Sequence, residues 1–128
     1  MLSFLRSRAH SFKYAFEGWW YVIRTQQNAW IHTVVSIVVI TLGLWLRLSP
    51  RDWAVVILAI AMVWAAEFFN TALEAIVDLA SPEMNHLAKI GKDVGAAAVL
   101  IAAVASIVIG LLIMGPPLWE KINFLIGN

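Results

Sequence analysis

Residues 53–80 form an apolar run long enough to cross a bilayer, yet its second half carries Glu67, Asn70, Thr71, Glu74 and Asp78. Read as a helix, this run sets those five side chains on one stripe, because they recur every three or four residues. Carboxylates inside a membrane are expensive, and a stripe that faces protein or a wet cavity and meets cations is the cheaper arrangement. Counting about 20 residues from Trp53 ends the hydrocarbon near Ala72. Glu67 then lies just inside the boundary, and Glu74 and Asp78 lie at or beyond it, within reach of a soluble charged substrate.

The rest of the chain fits a membrane setting. It is 62% hydrophobic and only 13% charged, with a mean hydropathy of +0.82. A soluble domain is about 45–50% apolar and about 25% charged. There is no cysteine, which excludes disulfides, thiolate metal sites and a cysteine nucleophile. The N-terminus mixes charges with aromatics and does not read as a cleavable signal. The basic residues are few and scattered, so nucleic acid is not an expected partner.

Residues 1–25 read as an amphipathic surface helix. Leu2, Leu5, Ala9, Phe12, Phe16, Trp19 and Trp20 lie on one side, and Arg6, Arg8, Lys13, Glu17 and Arg24 fall between them. Residues 29–48 are the first expected span, and residues 48–52 a tight turn with Trp45 and Trp53 beside it at an interface. Residues 53–80 are the second span. Ser81-Pro82-Glu83 predicts the start of a third helix over 82–114, with Ser81 as N-cap and Pro82 in the first turn. That helix is rich in Gly and Ala, and Gly91-x-x-x-Gly95 suits close helix packing. Gly115-Pro116-Pro117 is expected to end it, leaving 115–128 as a tail. Arg6, Arg8, Lys13, Arg24, Lys89 and Lys92 outweigh Arg47, Arg51 and Lys121, which predicts a cytoplasmic N-terminus and a cytoplasmic mouth for the acidic stripe. The expected fold is a single all-α membrane domain, a surface helix plus three transmembrane helices. Three thin spans enclose little polar space, so a homo-oligomer with sites between chains follows.

Near the expected mouth, Glu67, Asn70, Glu74 and Asp78 on one helix stand close to Glu83, Lys89, Lys92 and Asp93 on the next. Such a mixture suits phosphoryl transfer. Hard oxygens hold Mg²⁺, a lysine offsets phosphate charge, and a carboxylate takes the proton of an attacking hydroxyl. No P-loop and no Gly-x-Gly-x-x-Gly is present. His10, His32 and His86 lack the spacing of a zinc site.

Glu67-x-x-Asn70-Thr71-Ala72-x-Glu74-x-x-x-Asp78, followed by Ala88-Lys89-x-x-Lys92-Asp93-x-Gly95-Ala96-Ala97-Ala98-Val99, resembles the small prokaryotic diacylglycerol kinase/undecaprenol kinase family. Ser11-Phe12-Lys13-Tyr14-Ala15-Phe16-x-Gly18 and Arg24-Thr25-Gln26-x-Asn28-x-x-Ile31-His32 extend the resemblance to about residues 10–110. It implies a homotrimer in the bacterial cytoplasmic membrane that moves the γ-phosphate of Mg-ATP to a lipid alcohol. By the same resemblance Glu67 is the catalytic base with Asn70 beside it, and Glu74 is a metal ligand. Tyr14, Gln26, Glu74, Glu83, Lys92 and Asp93 match nucleotide-binding positions. Glu67 and Ala96 would meet the lipid. Gln26 departs from the enteric form, which has a second metal-binding Glu there, so a metal at Gln26 and Glu74 would meet less negative charge. The Gln-x-Asn-x-x-Ile-His wording looks like the non-enteric branch, which favours undecaprenol over diacylglycerol. An oligomeric membrane transporter is the competing class, since it too would carry an intramembrane Glu. For His32, a hydrogen bond between helices is the expected role.

Overall fold

The computed structural model describes residues 1–83 and 85–127, without the side chains of residues 2–7 and 9. Leu2, Leu5, Arg6 and Ala9, named for the amphipathic face, therefore carry side chains outside those described. Four helices make up the described chain: α1 (Leu2–Thr25), α2 (Gln27–Leu46), α3 (Pro50–Ala80) and α4 (His86–Ile126). The last three are long and apolar enough to cross a membrane.

Gln26 alone separates α1 from α2. Its extended backbone (φ −102°, ψ 119°) breaks the helical path. The chain then turns, and Trp19 of α1 stacks on Trp64 of α3 at 5.2 Å and meets Phe68 edge-on at 5.3 Å. Val22, Ala29 and Trp64 form the buried core of this junction. At the other end, α2 closes with Arg47 in the left-handed region (φ 58°), and Leu48 donates its N–H to the Gly43 carbonyl at 3.2 Å. Ser49 caps α3, since its Oγ accepts from the Asp52 N–H at 3.2 Å and donates to Asp52 Oδ2 at 2.7 Å. Pro50 follows at the first helical position, where its missing N–H costs nothing.

Two helix ends differ from the sequence expectation. Ser81 closes α3, with its N–H on the Val77 carbonyl at 2.9 Å. Asn85, and not Ser81, caps α4, because its Oδ1 accepts from the Ala88 N–H at 2.9 Å. The two caps are tied together: Asn85 Nδ2 donates to Ser81 Oγ at 3.0 Å, and Ser81 Oγ donates to the Glu83 carbonyl at 2.7 Å. Asn is as good an N-cap as Ser, and Ser81 is already committed to the helix before it. Pro82 therefore lies in the connection and not in a first turn.

The second difference is at Gly115-Pro116-Pro117, which does not end α4. The helix runs through both prolines to Ile126 and closes on Gly127 (φ 81°). Each proline removes one N–H and crowds the carbonyl four residues back, at a cost of about 3 kcal/mol in an ordinary helix interior. The N–H groups from Leu118 onward remain to continue the ladder. The extension is also anchored. Lys121 Nζ donates to the Trp45 carbonyl at 2.6 Å and lies 4.5 Å from the Trp45 ring centroid. At about 1.5 Å per residue α4 is about 60 Å long, well beyond a bilayer core of about 30 Å.

The α2–α3 corner is closely packed. A Cβ on Gly43 would come within 2.9 Å of the Trp53 ring and 3.1 Å of Leu48. Gly43→Ala is therefore expected to destabilise the protein by about 1–3 kcal/mol, read as a lowered thermal midpoint in detergent, while a Gly110→Ala control, where a Cβ meets nothing within 4 Å, stays near wild type.

Candidate functional site

The acidic stripe of α3 runs from complete burial to exposure. Glu67 has no exposed surface, Asn70 and Thr71 are buried, Glu74 is half-buried and Asp78 is exposed. The α3 helix brings these residues to the end of the molecule that also holds Gln26 and the α3–α4 connection. The gradient expected from the sequence is present, with one difference. Within this protomer Glu67 does not open to the outside.

A cavity of about 250 Å³ lies over the stripe. Gln26, Asn28, His32, Asn70 and Glu74 supply its polar wall, and Ala96 and Val99 of α4 part of its apolar wall. Glu74 is its carboxylate. Asn70 Nδ2 donates to Glu74 Oε1 at 3.1 Å, and Gln26 Nε2 reaches Glu74 Oε2 at 3.5 Å. Gln26 gains this position from the break between α1 and α2, which points the end of α1 at α3.

Behind this wall sits a group of polar atoms with no hydrogen-bond partner. Both carboxylate oxygens of Glu67, Nε2 of His32 and Oδ1 of Asn70 are buried and unpaired. His32 Nε2 is 3.7 Å from Glu67 Oε2. Each unpaired buried polar atom costs on the order of 1–3 kcal/mol, and such groups mark places where function outweighs stability.

Gly95 lets α4 approach this turn of α3. A Cβ there would overlap Asn70 Oδ1 and come within 3.1 Å of Leu73. Gly91, its partner in the small-residue pattern, has only ordinary clearance, with Val77 at 3.6 Å. The tight contact is therefore at Gly95 alone. Ser106 Oγ continues the α3–α4 seam by donating to the Ala59 carbonyl at 3.1 Å.

Of the other sequence-selected residues, Lys92 reaches back to α3 and pairs with Asp78 at 2.5 Å. Asp78 is thus committed to a lysine and adds no free charge beside Glu74. Asp93 pairs with Lys89 one turn away, and both are exposed. Glu83 lies in the α3–α4 connection. Tyr14 is 63% exposed on α1, with His10 as its ring neighbour at 6.3 Å. Tyr14, Glu83, Lys92 and Asp93 do not line the Glu74 cavity. The alanines at 96, 97 and 98 are exposed, and Ala96 lines the cavity.

The prokaryotic diacylglycerol kinase family matches residues 13–114. The chain belongs to that family. It is 44% identical over 109 residues to a diacylglycerol kinase of Synechocystis sp., a match covering 84% of this chain and 62% of that protein. It is 39% identical over 108 residues to an undecaprenol kinase of Bacillus subtilis, covering 84% of this chain and 88% of that protein. A diacylglycerol kinase of Escherichia coli is 31% identical over 75 residues, covering 59% of this chain and 62% of that protein. The chain thus spans less than two thirds of the length of the Synechocystis and Escherichia coli relatives.

A kinase family implies a nucleotide and a divalent cation, and the donors around Glu74 fit one. Glu74 offers a carboxylate, and Gln26 an amide whose oxygen can serve as a neutral ligand once the amide turns over, while Asn70 keeps its Nδ2 on Glu74. Among the described residues no three acidic or histidine side chains gather into a complete metal site. Mg²⁺ is commonly held by one or two carboxylates with phosphate oxygens and water completing the shell. The set therefore fits an ion that arrives with phosphate, and does not fit a resident ion held by protein alone.

Two expectations follow. Gly95→Ala is expected to displace Asn70 from Glu74 and to lower stability by about 1–3 kcal/mol, measured as thermal midpoint together with phosphate transfer. Gln26→Glu sets two carboxylates side by side, so it is expected to lower the Mg²⁺ concentration for half-maximal transfer several-fold, and to lower thermal stability when Mg²⁺ is absent.

Proposed function

We propose that this protein transfers the γ-phosphate of Mg-ATP to the hydroxyl of a membrane lipid alcohol. The observation that carries the reading is the buried Glu67 set one turn from Asn70 and two turns from Glu74, in a chain of the diacylglycerol kinase family. Glu67 is the base that accepts the proton of the attacking alcohol. Glu74, with the amide oxygen of Gln26, would hold Mg²⁺, and Asn70 steadies Glu74 through its Nδ2. When bound, the cation offsets charge on the phosphates. Lys92 turns from Asp78 to the phosphates, which exchanges one anion for another at little cost. Ala96 leaves room on α4 for the lipid headgroup beside the cavity.

Tyr14, Glu83 and Asp93 contact nucleotide in this reading from outside the cavity of their own protomer. A homotrimer with sites between chains accounts for their separation from Glu74. The protein sits in the bacterial cytoplasmic membrane with α1 on the surface and the cavity facing ATP. Undecaprenol is the favoured alcohol, on the Gln26-x-Asn28-x-x-Ile31-His32 wording. Relatives named for each lipid are similar to this chain to comparable degree, so both alcohols belong in the test.

Purified protein in mixed micelles is expected to transfer labelled phosphate from Mg-ATP to undecaprenol faster than to diacylglycerol. Glu67→Gln is expected to retain ATP binding and to lose at least about 10²-fold in kcat. Full activity in that variant would remove Glu67 as the base. An absence of transfer to any lipid alcohol by folded, oligomeric protein would favour the transporter class instead.

A further inference from the structure

Glu67 cannot act unaided in the observed arrangement. Its carboxylate is wholly enclosed and does not line the cavity that Glu74 lines. A base needs an aimed oxygen, and aiming a carboxylate takes a hydrogen-bond donor. Four donors on the neighbouring turns are committed elsewhere. Thr71 Oγ1 donates to the Glu67 backbone carbonyl at 2.9 Å. Asn70 spends its Nδ2 on Glu74 and leaves only an acceptor, Oδ1, among the buried unpaired atoms. Thr33 donates to the Ala29 carbonyl at 2.7 Å, and Trp64 donates to Ser36 at 3.2 Å.

His32 is different. Its Nε2 is buried, unpaired and 3.7 Å from Glu67 Oε2, and the same side chain lines the cavity. The ring is held in place, because Trp64 meets it edge-on at 6.3 Å and is itself fixed by Ser36 and by the stack on Trp19. A small contraction brings His32 Nε2–H onto the carboxylate, as catalytic hydrogen bonds often tighten once substrate is bound. It would hold one oxygen of Glu67 and leave the other to accept a proton.

We propose that His32 is the positioning residue through which Glu67 works: it stands between the cavity and the buried carboxylate, and donates to Glu67 when the lipid alcohol is in place. The inference rests on the kinase reading above, and adds to it a requirement for an N–H at position 32.

The test is a double-mutant cycle on phosphate transfer, with Glu67→Asp chosen because a shortened base leaves activity to measure. His32→Ala is expected to lower kcat by about 10²-fold with the KM for ATP unchanged. His32→Gln, which keeps an N–H, is expected to recover about tenfold of that loss. In the Glu67→Asp background, His32→Ala is expected to cost less than about threefold, since a residue acting through Glu67 has little left to lose once Glu67 is misplaced. A residue that merely supported the fold would give losses that multiply. Should His32→Ala fail to fold, His32→Phe, a ring without the N–H, takes its place in the cycle. Losses that multiply, an active His32→Ala, or a His32→Gln no better than His32→Ala would each overturn the proposal while leaving the kinase reading intact. Wild-type protein that phosphorylates no lipid alcohol would overturn the kinase reading, and this inference with it.

Discussion

The close approach of α4 to α3 at Gly95 is the contact on which the rest of the site depends. Because Gly95 has no side chain, Asn70 can occupy the seam and reach Glu74. With Asn70 turned toward Glu74, its amide N–H is unavailable to Glu67, whose carboxylate faces the His32 imidazole of α2. A single missing methyl group thus sorts Glu67 and Glu74 into different surroundings. Glu74 meets amides and a cavity, and Glu67 meets an imidazole and burial. Two carboxylates two turns apart on one helix would otherwise have had much the same surroundings.

The stripe itself was legible in the sequence, because helical spacing alone puts Glu67, Asn70, Thr71, Glu74 and Asp78 on one face. So were the membrane-crossing helices, whose apolar runs exceed the bilayer requirement. The depth of Glu67 was only half legible. Counting residues placed it inside the boundary, but its surroundings include His32 of α2, which is distant in sequence. The pairing of Asp78 with Lys92 was missed for the same reason, since a helix-to-helix ion pair has no local signature. The spacing of Lys89 and Asp93, by contrast, is local, and the pair forms as an i,i+4 ion pair should. His32 was legible as an interhelical residue, and its position beside Glu67 was not.

Both misread helix ends come from treating a local signal as final. Ser81-Pro82 looks like a helix start, and Asn85 four residues on offers an equal cap without competition from the helix before it. Gly115-Pro116-Pro117 looks like a stop, but a proline takes away only its own N–H. Whether the chain continues as helix is decided by what the next turns can hold, and Lys121 holds the end of α2.

That clasp fastens the end of the molecule away from the cavity. Lys121 on Trp45, Gly43 under Trp53 and the capped turn at Ser49 bind α2, α3 and α4 together at the end remote from the cavity. At the cavity end α2 is tied to α1 by one extended residue, Gln26, and to Glu74 by a hydrogen bond at the limit of its range. Among the described residues, the unpaired buried atoms of Glu67, His32 and Asn70 all lie toward that end, whereas the far end spends its polar groups on the fold.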